Sequence, residues 1–251
     1  MRLVRTWRPS ATEAQILEAI GDGSDAPHDR PFWTLDPVDG TKGFLRGQQY
    51  AIALAWVEDG RVSVGVLGCP ALPVDQAAPL DTPDPEGVIY AASRGSGAWE
   101  YAAGDPLATP LRITASTFNP IRGIRYCGSV EKAHGDRSLS ARVIESLGGG
   151  TPVAVDSQCK YAIVARGQSD AYLRLPRSQS YVERIWDHAA GSVIATEAGA
   201  RVSDMHGRDL EFCHGRGLEA NTGIVVATPD LHDRLIEQIG EQNVDSPAAG
   251  S

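Results

Sequence analysis

The sequence is short of positive charge, of long apolar runs, of paired cysteines and of glycine-rich nucleotide loops. Each shortage removes a class of function. Lys and Arg number 23 against 32 Asp and Glu, a formal charge of −9 over 251 residues. A nucleic-acid or anionic-membrane binder needs a basic footprint, so neither partner is expected. A local basic pocket for a small anion remains compatible with that balance. The longest strongly apolar uncharged run, Tyr50 to Val57, is eight residues and far short of a membrane span. No charged-then-apolar leader opens the chain. The four cysteines, Cys69, Cys127, Cys159 and Cys213, form no C-x-x-C pair and read as reduced, mostly buried thiols of a cytoplasmic protein. No G-x-x-x-x-G-K-[ST] or G-x-G-x-x-G occurs, which leaves ATPase and dinucleotide readings unsupported. No Cys/His cluster points to zinc.

What is present is Phe32-Trp33-Thr34-Leu35-Asp36-Pro37-Val38-Asp39-Gly40-Thr41, an apolar run ending in two carboxylates three residues apart. Along an uninterrupted strand Asp36 and Asp39 point to opposite faces, because side chains alternate with period 2. Pro37 lacks a donor N–H, so the chain is expected to leave the ladder there in a turn that lets the carboxylates converge. Converging carboxylates repel unless a cation sits between them. Mg²⁺, a hard ion that takes oxygen ligands and substrate phosphate, suits such a pair. The same residues also suit a capped turn with surface aspartates.

Along the chain, Ser10-Ala11-Thr12-Glu13 reads as a capping box for a short helix ending near Gly21-Asp22-Gly23. Phe32–Leu35 is a strand. Tyr50–Glu58 and Arg61–Gly68 flank Asp59-Gly60 as a hairpin, although Ala51-Ile52-Ala53-Leu54-Ala55 alone also suits a helix. Residues 71–86 read as a surface loop. Val88–Ser93 and Gly97–Tyr101 form a second hairpin, and Leu111–Ile113 an edge strand. Near residue 118 the pattern changes to alternating strands and helices. Strands are expected at 124–127, 152–155, 170–175, 200–202 and 223–227, and helices at 136–146, 157–166, 186–198 and 231–239. This predicts an α/β, α+β layered protein: a β-rich part over 1–118, an α/β part over 119–243, and a disordered tail at 244–251.

Candidate chemistry lies at strand-to-helix junctions. Asp187 follows Ile185-Trp186 and opens a helix, as a further oxygen ligand or as an ordinary N-cap. Gly40-Thr41 is placed to begin a helix or tight turn whose free N–H groups face an anion, with the Thr41 hydroxyl beside it. Ser157, with Lys160 three residues on, occupies a similar junction. Lys160 and Arg174 are cations able to grip phosphate, or else sit on solvated faces. His134, beside Glu131 in a loop, bonds a phosphate, stacks on a base, or is merely solvated.

Two of these stretches resemble a known family. Asp36-Pro37-Val38-Asp39-Gly40-Thr41 resembles the D-P-[IV]-D-G-T signature of the Mg²⁺-dependent, lithium-sensitive phosphatases related to inositol monophosphatase. Trp186-Asp187-His188-Ala189-Ala190-Gly191, about 150 residues on, resembles their W-D-x-A-A-G signature. Thr41–Gly47, Val66–Pro70, Asp156–Tyr161 and Tyr172–Pro176 are similar to the 3′(2′),5′-bisphosphate nucleotidase branch of eukaryotic type. The resemblance covers roughly residues 32 to 228. It implies a sugar-phosphatase fold of alternating helix and sheet layers. It implies hydrolysis of the 3′-phosphate of 3′-phosphoadenosine 5′-phosphate, and admits 3′-phosphoadenylyl sulfate, in sulfur metabolism. By the same resemblance, Asp36, the Val38 carbonyl, Asp39 and Asp187 hold Mg²⁺, and Gly40 and Thr41 hold the phosphate. Thr41 and Asp39 serve the in-line attack of a metal-activated water, with no covalent intermediate. Glu131, His134, Ser157, Lys160, Arg174 and Asp187 hold the small-molecule nucleotide bisphosphate. The family also carries an upstream helical pair, a Gly-Glu-Glu metal ligand and a water-activating aspartate. None of these is found here, so the chain reads as lacking its N-terminal helices, with impaired activity expected. A catalytically dead nucleotide-binding remnant and an inositol monophosphatase are the alternatives. The oligomeric state is left open.

Overall fold

The computed structural model describes residues 10–22, 30–80, 82–128, 139–176 and 181–244. Among the described residues, eleven strands make two sheets. The first is an antiparallel meander of β1 (Phe32–Asp39), β2 (Ala51–Glu58), β3 (Arg61–Cys69), β4 (Val88–Ser93), β5 (Ala98–Ala102) and β6 (Leu111–Ile113), in that spatial order. The second contains β7 (Ile124–Gly128), β8 (Gly150–Ala154), β9 (Ala171–Arg174), β10 (Arg201–Ser203) and β11 (Ile224–Ala227), in the order β10-β11-β9-β7-β8. Among the described residues, the parallel pairs are those of β7 with β8 and β9. The helices are α1 (Glu13–Asp22), α2 (Thr41–Leu45), α3 (Leu139–Ser146), α4 (Cys159–Ala165), α5 (Ala189–Glu197) and α6 (Pro229–Val244).

Alternation along the strands sets the layers. Tyr172, Ile224 and Val226 belong to one buried cluster with α4, α5 and the inner face of the first sheet. Leu173, Val225 and Ala227, one position away, belong to a second cluster with α3 and α6. A strand buried on both faces is nearly all apolar, as Ile224-Val225-Val226-Ala227 is. The order is therefore sheet, helices, sheet, helices, the alternation that the resemblance implied. The outer face of the first sheet is apolar too: Trp33, Leu35 and Ile52 are 56, 53 and 44% exposed.

Most expected elements are present. The Asp59-Gly60 turn has φ of 50° and 69°, the two left-handed residues of a tight hairpin. This fixes the alanine-rich stretch before it as strand β2. Three readings need correction. The capping box is displaced by two residues: the Thr12 N–H donates to Gln15 Oε1 (3.0 Å) and the Gln15 N–H to Thr12 Oγ1 (3.2 Å). Residues 71–86 do not lie wholly on the surface. Leu72 is fully buried, and the Gln49 amide donates to the carbonyls of Ala71 (2.8 Å) and Leu80 (3.1 Å), fastening the loop inward. The last helix reaches Val244, so that residue belongs to α6 and not to the tail. The expected start of α3 at 136 and the remainder of the tail lie outside the described residues.

Asp170 fastens the crossover into the second sheet. Its buried carboxylate accepts from Ser116 Oγ (2.8 Å), Arg122 Nη2 (3.0 Å), the Arg125 N–H (2.9 Å), Arg125 Nε (3.2 Å) and Arg125 Nη2 (2.8 Å). Burial alone raises its pKa, but the bonds from Arg125 and Ser116 outweigh that and hold it below the ordinary value. A carboxyl depressed in the folded state contributes stability at pH above its unfolded pKa and loses it as pH falls through the folded one. Asp170→Asn is expected to lower unfolding free energy by about 3 kcal/mol at pH 7. Urea titrations across pH should show the gap to the parent chain closing under acid.

Candidate active site

Asp36 and Asp39 meet because of a register shift. Asp36 pairs with Ala53 and Asp39 with Ala51, so three steps on β1 face two on β2. The extra residue is a β-bulge, and it reverses the parity of the strand. Asp39 therefore points to the same face as Asp36. The turn expected at Pro37 is this bulge, and the strand continues to Asp39. Pro37 suits it because a bulged residue has no ladder bond to donate. The Val38 N–H, freed from the ladder, donates to Asp36 Oδ1 at 3.0 Å.

The third carboxylate arrives from the second half of the chain. The single helix expected over 186–198 is a 3₁₀ turn, Ile185–Asp187, followed by α5. Asp187 is therefore no N-cap; His188 occupies that position and makes no side-chain capping bond. Oxygen atoms of Asp36, Asp39 and Asp187 all lie within 4.8 Å of one another. Burial is the largest cause that raises Asp39, to about 6, with Asp187 and Asp36 adding repulsion against a backbone bond from Gln158 and the charge of Lys160. Burial also raises Asp36, the Val38 N–H opposes it, and Asp187 adds to it. Three converging hard oxygen donors under mutual repulsion fit a divalent cation of the Mg²⁺ type.

The opposite side of the cleft is built on Gly40. At φ +82° it is left-handed, and a Cβ there would sit 2.7 Å from Ser157 Cβ. Only glycine lets the two chain segments cross. The crossing starts α2 at Thr41, whose Oγ1 donates to the Val38 carbonyl at 3.3 Å. Ser157 is itself left-handed at φ 64°. Its Oγ accepts from the Cys159 N–H (3.2 Å), and its carbonyl accepts from Lys160 Nζ (3.2 Å). Lys160 lies 5.5 Å over the Tyr172 ring. Burial lowers its pKa, and the charges of Asp39 and Asp156 partly restore it. A cavity of about 240 Å³ is lined by Asp39, Gly40, Thr41, Ser157, Lys160, Arg174 and Asp187, with Asp156, Gln158 and Tyr172 among their neighbours. Glu131 and His134 lie outside the described residues.

Arg174 does more than face the cavity. Its Nε and Nη2 each lie 2.8 Å from Glu183, and Nη2 lies 3.6 Å from Asp187. Glu183 in turn meets His188 Nε2 (3.1 Å), and His188 Nδ1 meets Tyr161 Oη (2.8 Å). This buried chain fixes the turn that carries Asp187. Glu183, His188 and Tyr161 were not singled out in the sequence: His188 fills the variable position of its signature, and Tyr161 meets it only through the fold. Gln158 was missed because its partners are distant in the chain. Its N–H donates to Asp39 Oδ2, its side-chain amide donates to the Trp186 carbonyl (2.8 Å), and its Oε1 accepts from the Gly191 N–H (3.0 Å). It thus ties both signatures together. Gly191 has no room for a side chain: a Cβ would lie 2.4 Å from the Tyr161 ring.

A model of the Inositol monophosphatase family matches residues 12–243. The chain belongs to the inositol monophosphatase family. It is 41% identical over 244 residues to the 3′(2′),5′-bisphosphate nucleotidase of Emericella nidulans, covering 91% of this chain and 68% of that protein. It is 44% identical over 238 residues to the enzyme of that name from Oryza sativa, covering 91% of this chain and 65% of that one. The chain thus spans about two thirds of the curated relatives it matches. Among solved structures, the Thermotoga maritima IMPase superposes with a TM-score of 0.62 at 21% identity, over 87% of this chain and 72% of that one. The family fold is accordingly the one this chain adopts.

Two tests follow from the site. A carboxyl raised by folding costs stability at pH above its folded pKa, and the cost disappears as pH falls below the unfolded value. In chelator, Asp39→Asn is expected to raise stability at pH 8 by up to about 3 kcal/mol. That gain should shrink between pH 6 and 4, as melting scans across pH will show. Gln158→Leu leaves the Trp186 carbonyl and the Gly191 N–H unsatisfied. It is expected to cost about 2–4 kcal/mol in urea unfolding.

Proposed function

We propose that the chain carries the catalytic part of a Mg²⁺-dependent 3′(2′),5′-bisphosphate nucleotidase, releasing the 3′-phosphate of 3′-phosphoadenosine 5′-phosphate to leave AMP. The observation that carries this reading is the meeting of Asp36, Asp39 and Asp187 beside a cavity lined by Thr41, Lys160 and Arg174. The names of relatives at 41–44% identity support the substrate class.

In this reading Asp36, Asp39, Asp187 and the Val38 carbonyl hold the cation. When bound, it supplies charge neutralisation at the phosphate and acidifies a water. The chain's own groups do the rest. Gly40 and Thr41, at the start of α2, donate backbone N–H groups to phosphate oxygens. The Thr41 hydroxyl, which donates to the Val38 carbonyl, would help to orient the attacking water. Lys160 and Arg174 take up the remaining negative charge of the nucleotide, and Ser157 adds a polar contact. Glu183 keeps the Arg174 fork in one plane. Repulsion among the three carboxylates, which costs stability without the cation, becomes affinity for it.

A second reading is a nucleotide-binding form with weak or no turnover. Among the described residues, the oxygen cluster holds three carboxylates and no fourth. Phosphate release from 3′-phosphoadenosine 5′-phosphate, with Mg²⁺ and with chelator, decides between them. The first reading predicts Mg²⁺-dependent, lithium-inhibited release that falls at least about 100-fold in Asp39→Asn. Equal release by that variant would refute it. Calorimetric binding of the nucleotide without release is the result expected of the second. A higher rate on inositol 1-phosphate would reassign the substrate while keeping the chemistry.

A further inference from the structure

A cluster of side chains with the chemistry of metal ligands lies away from the carboxylate site. Glu211, Cys213 and His214 place one ligand atom each within 4.8 Å of one another. His214 Nε2 is 2.9 Å from Glu211 Oε2 and 3.6 Å from Cys213 Sγ. We propose that Glu211, Cys213 and His214 form a binding site for one Zn²⁺ ion.

The backbone there is fastened on both sides. Phe212 is buried, and its N–H donates to the Gly60 carbonyl at 3.0 Å. The Glu211 N–H donates to Asn221 Oδ1 at 2.8 Å, and Asn221 Nδ2 donates to the Asp209 carbonyl at 2.9 Å. Phe212 is buried while Glu211 and Cys213 on either side of it are exposed, so those two face outward together. That is how Glu211 and Cys213 share a side, and the His214 ring folds back onto them. Cys213 also sits tightly on the β2–β3 turn: a Cβ on Gly60 would lie 3.0 Å from Cys213 Cβ.

The donor set selects the ion. A thiolate and an imidazole favour borderline-soft metals over Mg²⁺. Zn–S of about 2.3 Å and Zn–N of about 2.0–2.1 Å place the two atoms about 3.5 Å apart in a tetrahedron, close to the separation seen. The carboxylate need only move outward by a few tenths of an ångström. Three protein ligands leave a fourth position for water. On binding, the Cys213 thiol proton leaves to solvent and His214 stays neutral, with its remaining proton on Nδ1. The site is distinct from the carboxylate cluster. Asp39 pairs with Ala51 at one end of β2, and Gly60 follows the other end. At about 3.3 Å per residue that separation is on the order of 25 Å. The three lie within the four consecutive residues Glu211-Phe212-Cys213-His214, a spacing that matches none of the paired Cys and His patterns by which zinc sites are read from sequence.

Co²⁺ is the probe that separates this site from an all-oxygen one, since only a thiolate ligand gives a near-ultraviolet charge-transfer band. One equivalent of Co²⁺ should produce the band, and Zn²⁺ should displace it. Cys213→Ser should abolish it, Glu211→Gln should weaken binding by about 10-fold or more, and Asp39→Asn should leave it intact. Cys213 is the exposed cysteine, the other three being buried. Micromolar Zn²⁺, but not millimolar Mg²⁺, should therefore slow its reaction with a thiol reagent in the native protein. Absence of the band, its persistence in Cys213→Ser, or protection that needs millimolar Zn²⁺ overturns the proposal.

Discussion

The bulge between Asp36 and Asp39 is the constraint on which the site depends. One extra residue opposite β2 changes the parity of β1 and turns two carboxylates onto the same inner face. Everything near it answers to that geometry. Pro37 fits where no donor is wanted, the Val38 N–H finds Asp36, and Gly40 must be glycine because Ser157 passes so close. A strand without the bulge would send Asp39 toward the outer face, where Trp33 and Leu35 stand.

The second half of the fold is arranged to meet that pair. The 3₁₀ turn before α5 presents Asp187, and the Tyr161–His188–Glu183–Arg174 chain holds the turn still. Gln158 closes the arrangement by bonding to Asp39 on one side and to the Asp187 turn on the other. Packing and electrostatics oppose each other here. Burial of Asp39 among like charges is unfavourable without a cation, and Gly191 and Tyr161 pack too closely for the turn to relax away. The folded frame therefore holds these carboxylates together against their mutual repulsion.

Much of this was legible in the sequence, for physical reasons. Asp59-Gly60 named its turn, the period-2 alternation named β3, and the two signatures placed Asp36, Asp39 and Asp187 before any coordinates. The parity problem was visible, although its solution was read as a turn when it is a bulge; both relieve the same steric conflict at Pro37. What stayed hidden involves partners distant in the chain. Gln158 is an ordinary polar residue until Trp186 and Gly191 lie beside it. The inward fastening of the 71–86 loop depends on Gln49, which no local pattern marks. The capping box moved because Thr12-x-x-Gln15 competes with Ser10-x-x-Glu13, and local spacing permits both.

The account rests on the three carboxylates holding one divalent ion on the inner face that the bulge creates. A crystal structure grown with Mn²⁺ and 3′-phosphoadenosine 5′-phosphate, with data collected for anomalous scattering, tests this most directly. The account predicts an anomalous peak in bonding contact with Asp36, Asp39 and Asp187, with the nucleotide's phosphate against Thr41 and Lys160. Ordered nucleotide with no metal peak among those carboxylates, or Asp39 turned to the outer face of the sheet, would contradict it.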